Sequence, residues 1–491
     1  MMRNGIVFFA LALLAVFTAS AEAKDSKGYM SWKTEGFAGP EKCAECHEDV
    51  HAQWATSWHT KKTEWGPAYP EYSAGRDYPW GKEKIYPWVK RDWDKLDTYM
   101  ILDKKDDNTN YIAIDKIQFK NVELVVGSQR KQRYAVYYDG APRKAWLAAT
   151  EDGGISWKLD KTKTVDYPGS KERAGYHFLF IEVKPKDGEM NKANYGEFRS
   201  WQERCIACHS TGFDVNAWNK AKADYVAGKR KDLRDTFVSS ISISCEACHG
   251  GGAVHAENPS ADNIINPAKL TDVKERQIVC SRCHTRAQTN TAHGKGSNDN
   301  RGFILGKNKY EDVMQYTRPS WGKGNRQVSI DGKGRRDHQQ DMDIMLSATI
   351  VGEHSTHAKM ACFDCHTSHN VGNNPKSPWL FDKTPAEVCA KCHGSNAEAV
   401  LKVLDGRSGW KKSGYPDWAT EYGREPNKQH IFNFDAQGRS FGITPEQYHW
   451  ALKKEGDAAK ASDWEAIWPW EKTAAEKAGR TVFIGADPVK K

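Results

Sequence analysis

The chain has 491 residues and a formal net charge of +8, and 39% of its residues are hydrophobic while 28% are charged. That hydrophobic share is low for a chain of this size, so we expect a bound group to supply part of the core. After residue 23 no stretch approaches about 18 consecutive apolar residues, so we expect no membrane span in the mature chain.

The first 23 residues have the three parts of a secretory signal peptide. Arg3 supplies the positive start, residues 6–17 form an apolar run, and residues 20–23 read Ser-Ala-Glu-Ala, a cleavage site of the A-x-A type. Cleavage after Ala23 predicts a periplasmic or extracellular protein. No Cys precedes Cys43, so we expect no lipoprotein anchor near the cleavage site.

The mature chain is predicted to begin with a segment over 24–65 that holds the first cysteine pair and is largely helical from residue 40. Residues 66–199 are first rich in Trp, Tyr and Pro and then alternate with a period of two, which predicts a small β-rich insert. Asp139-Gly140 within this insert is a hairpin signal. The predicted strands are 111–114, 122–126, 132–138, 145–148 and 155–159.

The remaining chain is predicted to divide into four parts: three cysteine motifs in 200–290, a Gly/Asn/Lys-rich connection in 291–350, two motifs in 351–400 and a motif-free helical segment in 401–491. Residues 384–387 read Thr-Pro-Ala-Glu, a capping box with Pro at the first helical position. The same signal in residues 444–447 predicts a helix in the C-terminal segment.

All twelve cysteines fall in six pentapeptides of the form Cys-x-x-Cys-His. This pattern is the covalent attachment site of c-type haem, in which both thiols bind the porphyrin and the adjacent His is the proximal ligand of the iron. We number the sites one to six in chain order. They are Cys43, Cys46 and His47; Cys205, Cys208 and His209; Cys245, Cys248 and His249; Cys280, Cys283 and His284; Cys362, Cys365 and His366; and Cys389, Cys392 and His393.

Zinc ribbons and a disulfide framework are the alternatives, since paired cysteines occur in both. Neither requires a His directly after the second Cys, so we interpret the pentapeptides as sites for six covalently attached c-type haems. The haem propionates would add about twelve negative charges, which removes the basic net charge as an argument for nucleic acid. The predicted fold is a mainly α and irregular multihaem cytochrome organised around six haems, with a small β-rich insert after the first haem and a C-terminal helical segment.

Eleven of the 17 His residues remain after the six proximal positions are filled. That supply would allow a second His on every iron, which favours bis-His coordination and low reduction potentials. The candidates for this distal position are His51, His59, His255, His293, His354, His357 and His369. We interpret the other four as structural, namely His177, His338, His430 and His449.

Two local patterns extend beyond the pentapeptides. Site one is followed by Trp54, Ser57 and His59, while site two continues as Ser-Thr-Gly-Phe and site three as a triple glycine before His255. These patterns resemble the multihaem family that includes the tetrahaem cytochrome partner of hydroxylamine oxidoreductase, and related periplasmic and extracellular cytochromes of metal-reducing bacteria. The resemblance covers roughly 40–60, 120–140, 200–290 and 350–395, and it implies a distal role for His59.

The leading functional hypothesis is electron transfer, because irons with two protein ligands leave no open position for a substrate. Its partners would be other redox proteins or cytochromes, or an extracellular acceptor. The alternative is an oxidoreductase that acts on a small nitrogen or sulfur compound at one open haem, although no attachment motif here ends in Lys as in related nitrite reductases. A further alternative is a subunit of a homo-oligomeric conductive filament.

Overall fold

A computed structural model describes residues 34–70, 99–104, 110–127, 132–151, 156–183, 190–192, 200–284, 288–289, 301–308, 317–318, 360–374, 380–399 and 401. All six pentapeptides lie within these residues. In the described part of the chain, no helix combines the length and the apolar composition that a membrane crossing requires.

The segment around site one folds as two short helices, α1 Pro40–Ala44 and α2 Glu48–Ala55. Pro40 suits the first position of α1 because its missing N–H would have no helical partner there. The predicted continuous helix over 40–65 is therefore wrong in its extent. The chain leaves helical geometry at His47 and again after Ala55. Trp54 in α2, and Ser57 and Trp58 after it, are buried.

The insert consists of two antiparallel sheets, a five-stranded one in the order β1-β4-β5-β8-β9 and a four-stranded one in the order β2-β3-β6-β7. The strands are β1 Thr63–Trp65, β2 Tyr99–Lys104, β3 Asn110–Lys116, β4 Leu124–Val126, β5 Gln132–Tyr138, β6 Arg143–Glu151, β7 Ser156–Tyr167, β8 Gly175–Val183 and β9 Met190–Lys192. Each of the five predicted strands overlaps one of these. β8 was not predicted because its side chains pack on both faces of its sheet and show no alternation.

The predicted hairpin at Asp139-Gly140 is not formed. β5 pairs with β4 and β8, whereas β6 pairs with β3 and β7, so the turn passes from one sheet to the other. Gly140 has a φ of 75°, and a Cβ there would lie 2.6 Å from the carbonyl oxygen of Ser170. Gly140 is therefore required both for its backbone conformation and for the space it leaves. Hairpin turns require Gly for the same conformational reason, which is why the sequence predicted a hairpin here.

Short helices carry most of the remaining sites. They are α3 Trp201–Arg204, α4 Ile206–His209, α5 Val215–Val226, α6 Cys245–His249, α7 Ala253–Glu257, α8 Val273–His284 and α9 Pro385–His393. Two small antiparallel pairs accompany them, β10 Thr211–Phe213 with β11 Val238–Ser240 and β12 Gln288–Thr289 with β13 Thr317–Arg318.

The five-stranded sheet lies between two apolar cores because its strands alternate. Leu124 and Val126 face a core with Trp201 and Trp218 from the helical part, while Val125 faces the four-stranded sheet. The second core lies between the two sheets. The insert is thus fixed to the helices that precede and follow site two through large buried aromatic side chains.

The predicted capping box at Thr384 is confirmed. The Thr384 hydroxyl accepts from the Glu387 backbone N–H, and the Glu387 carboxylate accepts from the Thr384 N–H at 2.6 Å. α9 begins at Pro385 and ends at His393, so site six is the last part of this helix. The predicted C-terminal helical segment and most of the predicted Gly/Asn/Lys-rich connection lie outside the described residues.

Candidate haem-attachment sites

Five of the six pentapeptides lie wholly or partly within helices: α1, α4, α6, α8 and α9. Site five begins as a single 3-10 turn, Cys362–Asp364. Helical geometry brings residues three and four apart onto one side of the backbone. In sites three, four and six, which lie wholly within helices, the two thiols and the His therefore lie as attachment to one planar group would require.

None of the twelve cysteines forms a disulfide, and none is more than partly buried. Across the described residues, no three His, Cys, Asp or Glu side chains gather into a cluster that fits a bare metal ion. Pairs of accessible thiols in helical turns, each followed at once by an imidazole, fit covalent attachment of haem.

Thiols from different sites lie next to each other. A hydrogen bond between Cys43 and Cys245 lowers the pKa of Cys43 and raises the pKa of Cys245. A hydrogen bond from Cys208 lowers the pKa of Cys283 to about 7, and these two thiols also face each other's backbone segments. Site one is therefore adjacent to site three, and site two is adjacent to site four.

Three further pairs of cysteines from different sites also interact. Cys280 hydrogen-bonds Cys362, which raises the pKa of Cys280. Burial and then the charge of Cys389 raise the pKa of Cys365 to about 11, while burial raises the pKa of Cys248 and the charge of Cys283 adds to the shift. Cysteines of different sites thus interact in the order one, three, four, five and six, with site two interacting with site four.

Three of the candidate ligand rings are oriented by hydrogen bonds to their Nδ1 atoms. Nδ1 of His209 donates to the Lys62 carbonyl at 3.0 Å, and Nδ1 of His249 donates to the Ile265 carbonyl at 2.8 Å. Nδ1 of His255 lies 3.0 Å from the Ser260 carbonyl. A ring whose Nδ1–H is held by a carbonyl has its Nε2 lone pair available to a metal, which is the usual arrangement of histidine ligands.

Two pairs of imidazole rings face each other. The ring centroids of His47 and His255 are 6.4 Å apart with planes inclined by 15°, and those of His249 and His369 are 6.3 Å apart with planes inclined by 9°. Two imidazoles bound through nitrogen at about 2 Å on opposite sides of one metal would have centroids about 6 Å apart. The centroid distances of both pairs match that spacing, for the His of site one and for the His of site three.

His59, the distal position implied by the family resemblance, lies near site four. Burial lowers the pKa of His59 to about 3, with further contributions from the charges of Lys62 and His284. A hydrogen bond with the Ser368 backbone acts in the opposite direction. The charge of the proximal His of site four thus acts on the predicted distal ligand.

The other candidates are placed less directly. His51 is buried in α2 with its ring centroid 5.1 Å from that of Trp54. His293, His354 and His357 lie outside the described residues. His177, interpreted from the sequence as structural, is buried in β8, and its Nε2 donates to the Arg173 carbonyl at 2.6 Å.

Two charged residues near the sites were not singled out by the sequence analysis. Burial lowers the pKa of Lys62 to about 8, and the carbonyl of this residue orients His209. Glu246 is buried inside the third pentapeptide. A charged side chain in a short polar segment normally indicates a solvated surface; the triple glycine after site three was the signal that close packing was required there.

Comparisons with known proteins agree with the attachment motifs. Residues 160–294 match the family described as outer membrane cytochrome MtrC/MtrF-like, domains II/IV. The chain is also 25% identical over 272 residues to the dissimilatory sulfite reductase MccA of Wolinella succinogenes. That match covers 51% of this chain and 33% of the relative, so it spans about a third of the relative's length.

Three solved structures are also similar to this chain. The outer cell wall cytochrome OcwA has a TM-score of 0.46 at 17% identity, with coverage of 86% of this chain and 82% of that one. An undecahaem cytochrome from the S-layer of Carboxydothermus ferrireducens has a TM-score of 0.34 at 16% identity, with coverage of 81% and 52%. The octahaem MccA of Wolinella succinogenes has a TM-score of 0.35 at 17% identity, with coverage of 77% and 52%.

The chain therefore resembles multihaem c-type cytochromes, as the motifs predicted. The matched family region contains sites two, three and four and the last strands of the insert.

Proposed function

We propose that this chain is an exported hexahaem c-type cytochrome that carries electrons between redox partners. A bound c-type haem supplies a reversible one-electron couple at its iron. The chain would hold six such groups through its own cysteine thiols and supply the axial ligands. It would also fix the spacing between neighbouring sites. The single observation that carries the proposal is the close packing of attachment sites: α1 packs on the helix of site three, and the helix of site four packs on sites two, three and five.

The paired histidines support a carrier rather than an enzyme at two of the sites. His47 with His255, and His249 with His369, would occupy both axial positions of the irons at sites one and three. His59 is proposed as the distal ligand at site four because it is buried and the charge of His284 acts on it. With both axial positions filled, an iron exchanges electrons but has no position for a substrate.

The pairing also links segments that are distant in the sequence. His255 follows site three yet faces the His of site one, and His369 follows site five yet faces the His of site three. Each ligand of this kind would fasten one site to the polypeptide of another. We propose that this cross-ligation keeps the sites at fixed separations, which is what rapid transfer between neighbouring groups requires.

An oxidoreductase acting on a small sulfur or nitrogen compound is the second candidate. It is favoured by the identity of 25% with a dissimilatory sulfite reductase, although the match covers a third of that protein. Such an activity would need one iron with an open distal position. The proposed distal ligands account for three of the six sites, so the remaining three are where that position would lie.

Two measurements test these proposals on the purified full-length mature protein. Mass spectrometry should find six haems at about 0.6 kDa each in addition to the polypeptide. The reduced protein should not bind carbon monoxide, and it should show no sulfite, nitrite or hydroxylamine turnover. Fewer than six haems would contradict the hexahaem proposal, while carbon monoxide binding at one-sixth of the haem with sulfite turnover would favour the enzyme.

A further inference from the structure

Glu246 is a buried carboxylate in the middle of the third pentapeptide, and its side chain is 3% exposed. Its Oε1 accepts from the backbone N–H of Ala38 at 2.7 Å and from the backbone N–H of Gly252 at 2.8 Å. Its Oε2 accepts from the backbone N–H of Gly39 at 2.9 Å. One carboxylate thus binds three backbone donors from two other segments of the chain.

These donors belong to the elements that would hold the iron of site one. Ala38 and Gly39 directly precede α1, which carries Cys43 and leads to His47. Gly252 is the residue before α7, which carries His255. The carboxylate therefore joins the helix of the proximal ligand to the helix of the proposed distal ligand.

The carboxylate also joins site one to site three. Glu246 lies between the two cysteines of site three in α6, and it follows Cys245, which hydrogen-bonds Cys43. The bonds to Ala38 and Gly39 hold the start of α1 against this helix. The same side chain is thus placed to control the ligation of site one and the distance from site one to site three.

The backbone around Glu246 is shaped for this close approach. The N–H of Ala253 donates to the Gly36 carbonyl at 3.1 Å. A Cβ at Gly251 would lie 2.5 Å from that same carbonyl oxygen, so a side chain there would push the two segments apart. Burial raises the pKa of the Glu246 carboxyl, and the three backbone N–H groups act in the opposite direction by stabilising the ionised form.

We propose that Glu246 is a positioning residue that holds His255 opposite His47 and fixes site one against site three. The inference rests on the proposed coordination of site one by these two histidines. Removal of the carboxylate frees the segment before α1 and the start of α7 from α6. The distal ring is then no longer held at the distance at which both imidazoles reach one iron.

Electron paramagnetic resonance of the oxidised holoprotein tests this role, because it counts irons that have lost an axial ligand. Glu246→Ala should turn one iron of the six high-spin, while mass spectrometry still finds all six haems. Glu246→Gln keeps an oxygen for Ala38 and Gly252, and its high-spin share should lie between those of the wild type and Glu246→Ala. Glu246→Asp keeps the charge but is one methylene shorter; it should also show a high-spin share, and it decides the result if Glu246→Ala does not accumulate.

Two reference variants separate the possible outcomes. His255→Ala should turn the same single iron high-spin; if it leaves every iron low-spin, the proposed coordination fails and the role of Glu246 fails with it. If His255→Ala gives the high-spin iron and both Glu246→Ala and Glu246→Asp do not, only the positioning role is overturned. Glu123→Gln alters a buried carboxylate in the insert, bound to Tyr69 and Arg234, and should stay low-spin. A high-spin iron in this control would show general loss of structure and overturn the inference.

Discussion

The imidazole of His369 lies opposite that of His249, with ring centroids 6.3 Å apart and planes inclined by only 9°. Burial lowers the pKa of His369, and the charge of His249 lowers it further, because neither ring can hold a proton at this distance without opposing the other. His249 is held by its Nδ1 hydrogen bond to Ile265. The pair therefore has the spacing that coordination of one iron would require.

His369→Ala should open the iron of site three. The expected result is carbon monoxide binding to one-sixth of the haem in the reduced protein, where the wild type binds none. Ser368→Ala, in the same loop, is the matched control because its exposed side chain is not a ligand candidate. Unchanged carbon monoxide binding in His369→Ala would contradict the assignment of this residue to an iron.

The attachment sites could be proposed from the sequence because the chemistry of attachment is local. Two thiols and a His within five residues define each site whatever the surrounding fold. The capping box at Thr384 was equally local, and the structure has both of its hydrogen bonds. A sequence motif contained within one helical turn can thus be recognised without knowledge of how the whole chain packs.

The pairing of histidine rings could not be predicted, because it depends on contacts between distant segments. Nothing near His255 in the sequence indicates that it faces His47 rather than the His of its own site. The turn at Asp139-Gly140 failed for a similar reason, since its conformation was foreseen but the sheet that each strand would join was not. The local sequence specifies the backbone conformation, whereas the packing of distant segments determines which strand or ring lies opposite.

His177 should make the insert less stable in acid. Burial lowers the pKa of His177 to about 3, while an unfolded His titrates near about 6.5. The folded state therefore binds fewer protons than the unfolded state between these values. The stability from the neutral ring is complete above about pH 6.5 and falls by up to about 1.4 kcal/mol per pH unit as the pH decreases towards about 3.

His177→Gln should reduce this pH dependence. The midpoint of urea unfolding, followed by circular dichroism in the β-sheet region, should change less between pH 7 and pH 5 than in the wild type. The variant should also unfold at lower urea at pH 7, because the buried hydrogen bond to Arg173 is altered. Its irons should stay low-spin. A pH dependence equal to that of the wild type would contradict this role.

Arg276 should hold site five against the helix of site four. Its Nη2 donates to Asp364 Oδ1 at 2.7 Å, and its guanidinium lies 5.0 Å from the Phe363 ring centroid. Arg276→Ala should weaken the local structure of residues 360–366 by about 1–3 kcal/mol, since a partly buried charge-assisted hydrogen bond is lost. Hydrogen exchange measured by mass spectrometry should be faster there and unchanged in the insert. Lys274→Ala, an exposed position on α8, is the control; equal exchange in both variants would argue against the link.

Substitution of His59 distinguishes a ligand from a residue that only packs beside site four. His59→Ala should leave one iron high-spin, because the position next to His284 would lose its imidazole. His59→Met should instead keep that iron low-spin and raise one of the six reduction potentials, since a thioether stabilises Fe(II) relative to an imidazole. Spectroelectrochemical titration of both variants against the wild type measures the two effects. A packing role predicts the opposite pattern: Ala and Met would then alter stability according to side-chain volume, and all six potentials would remain those of the wild type.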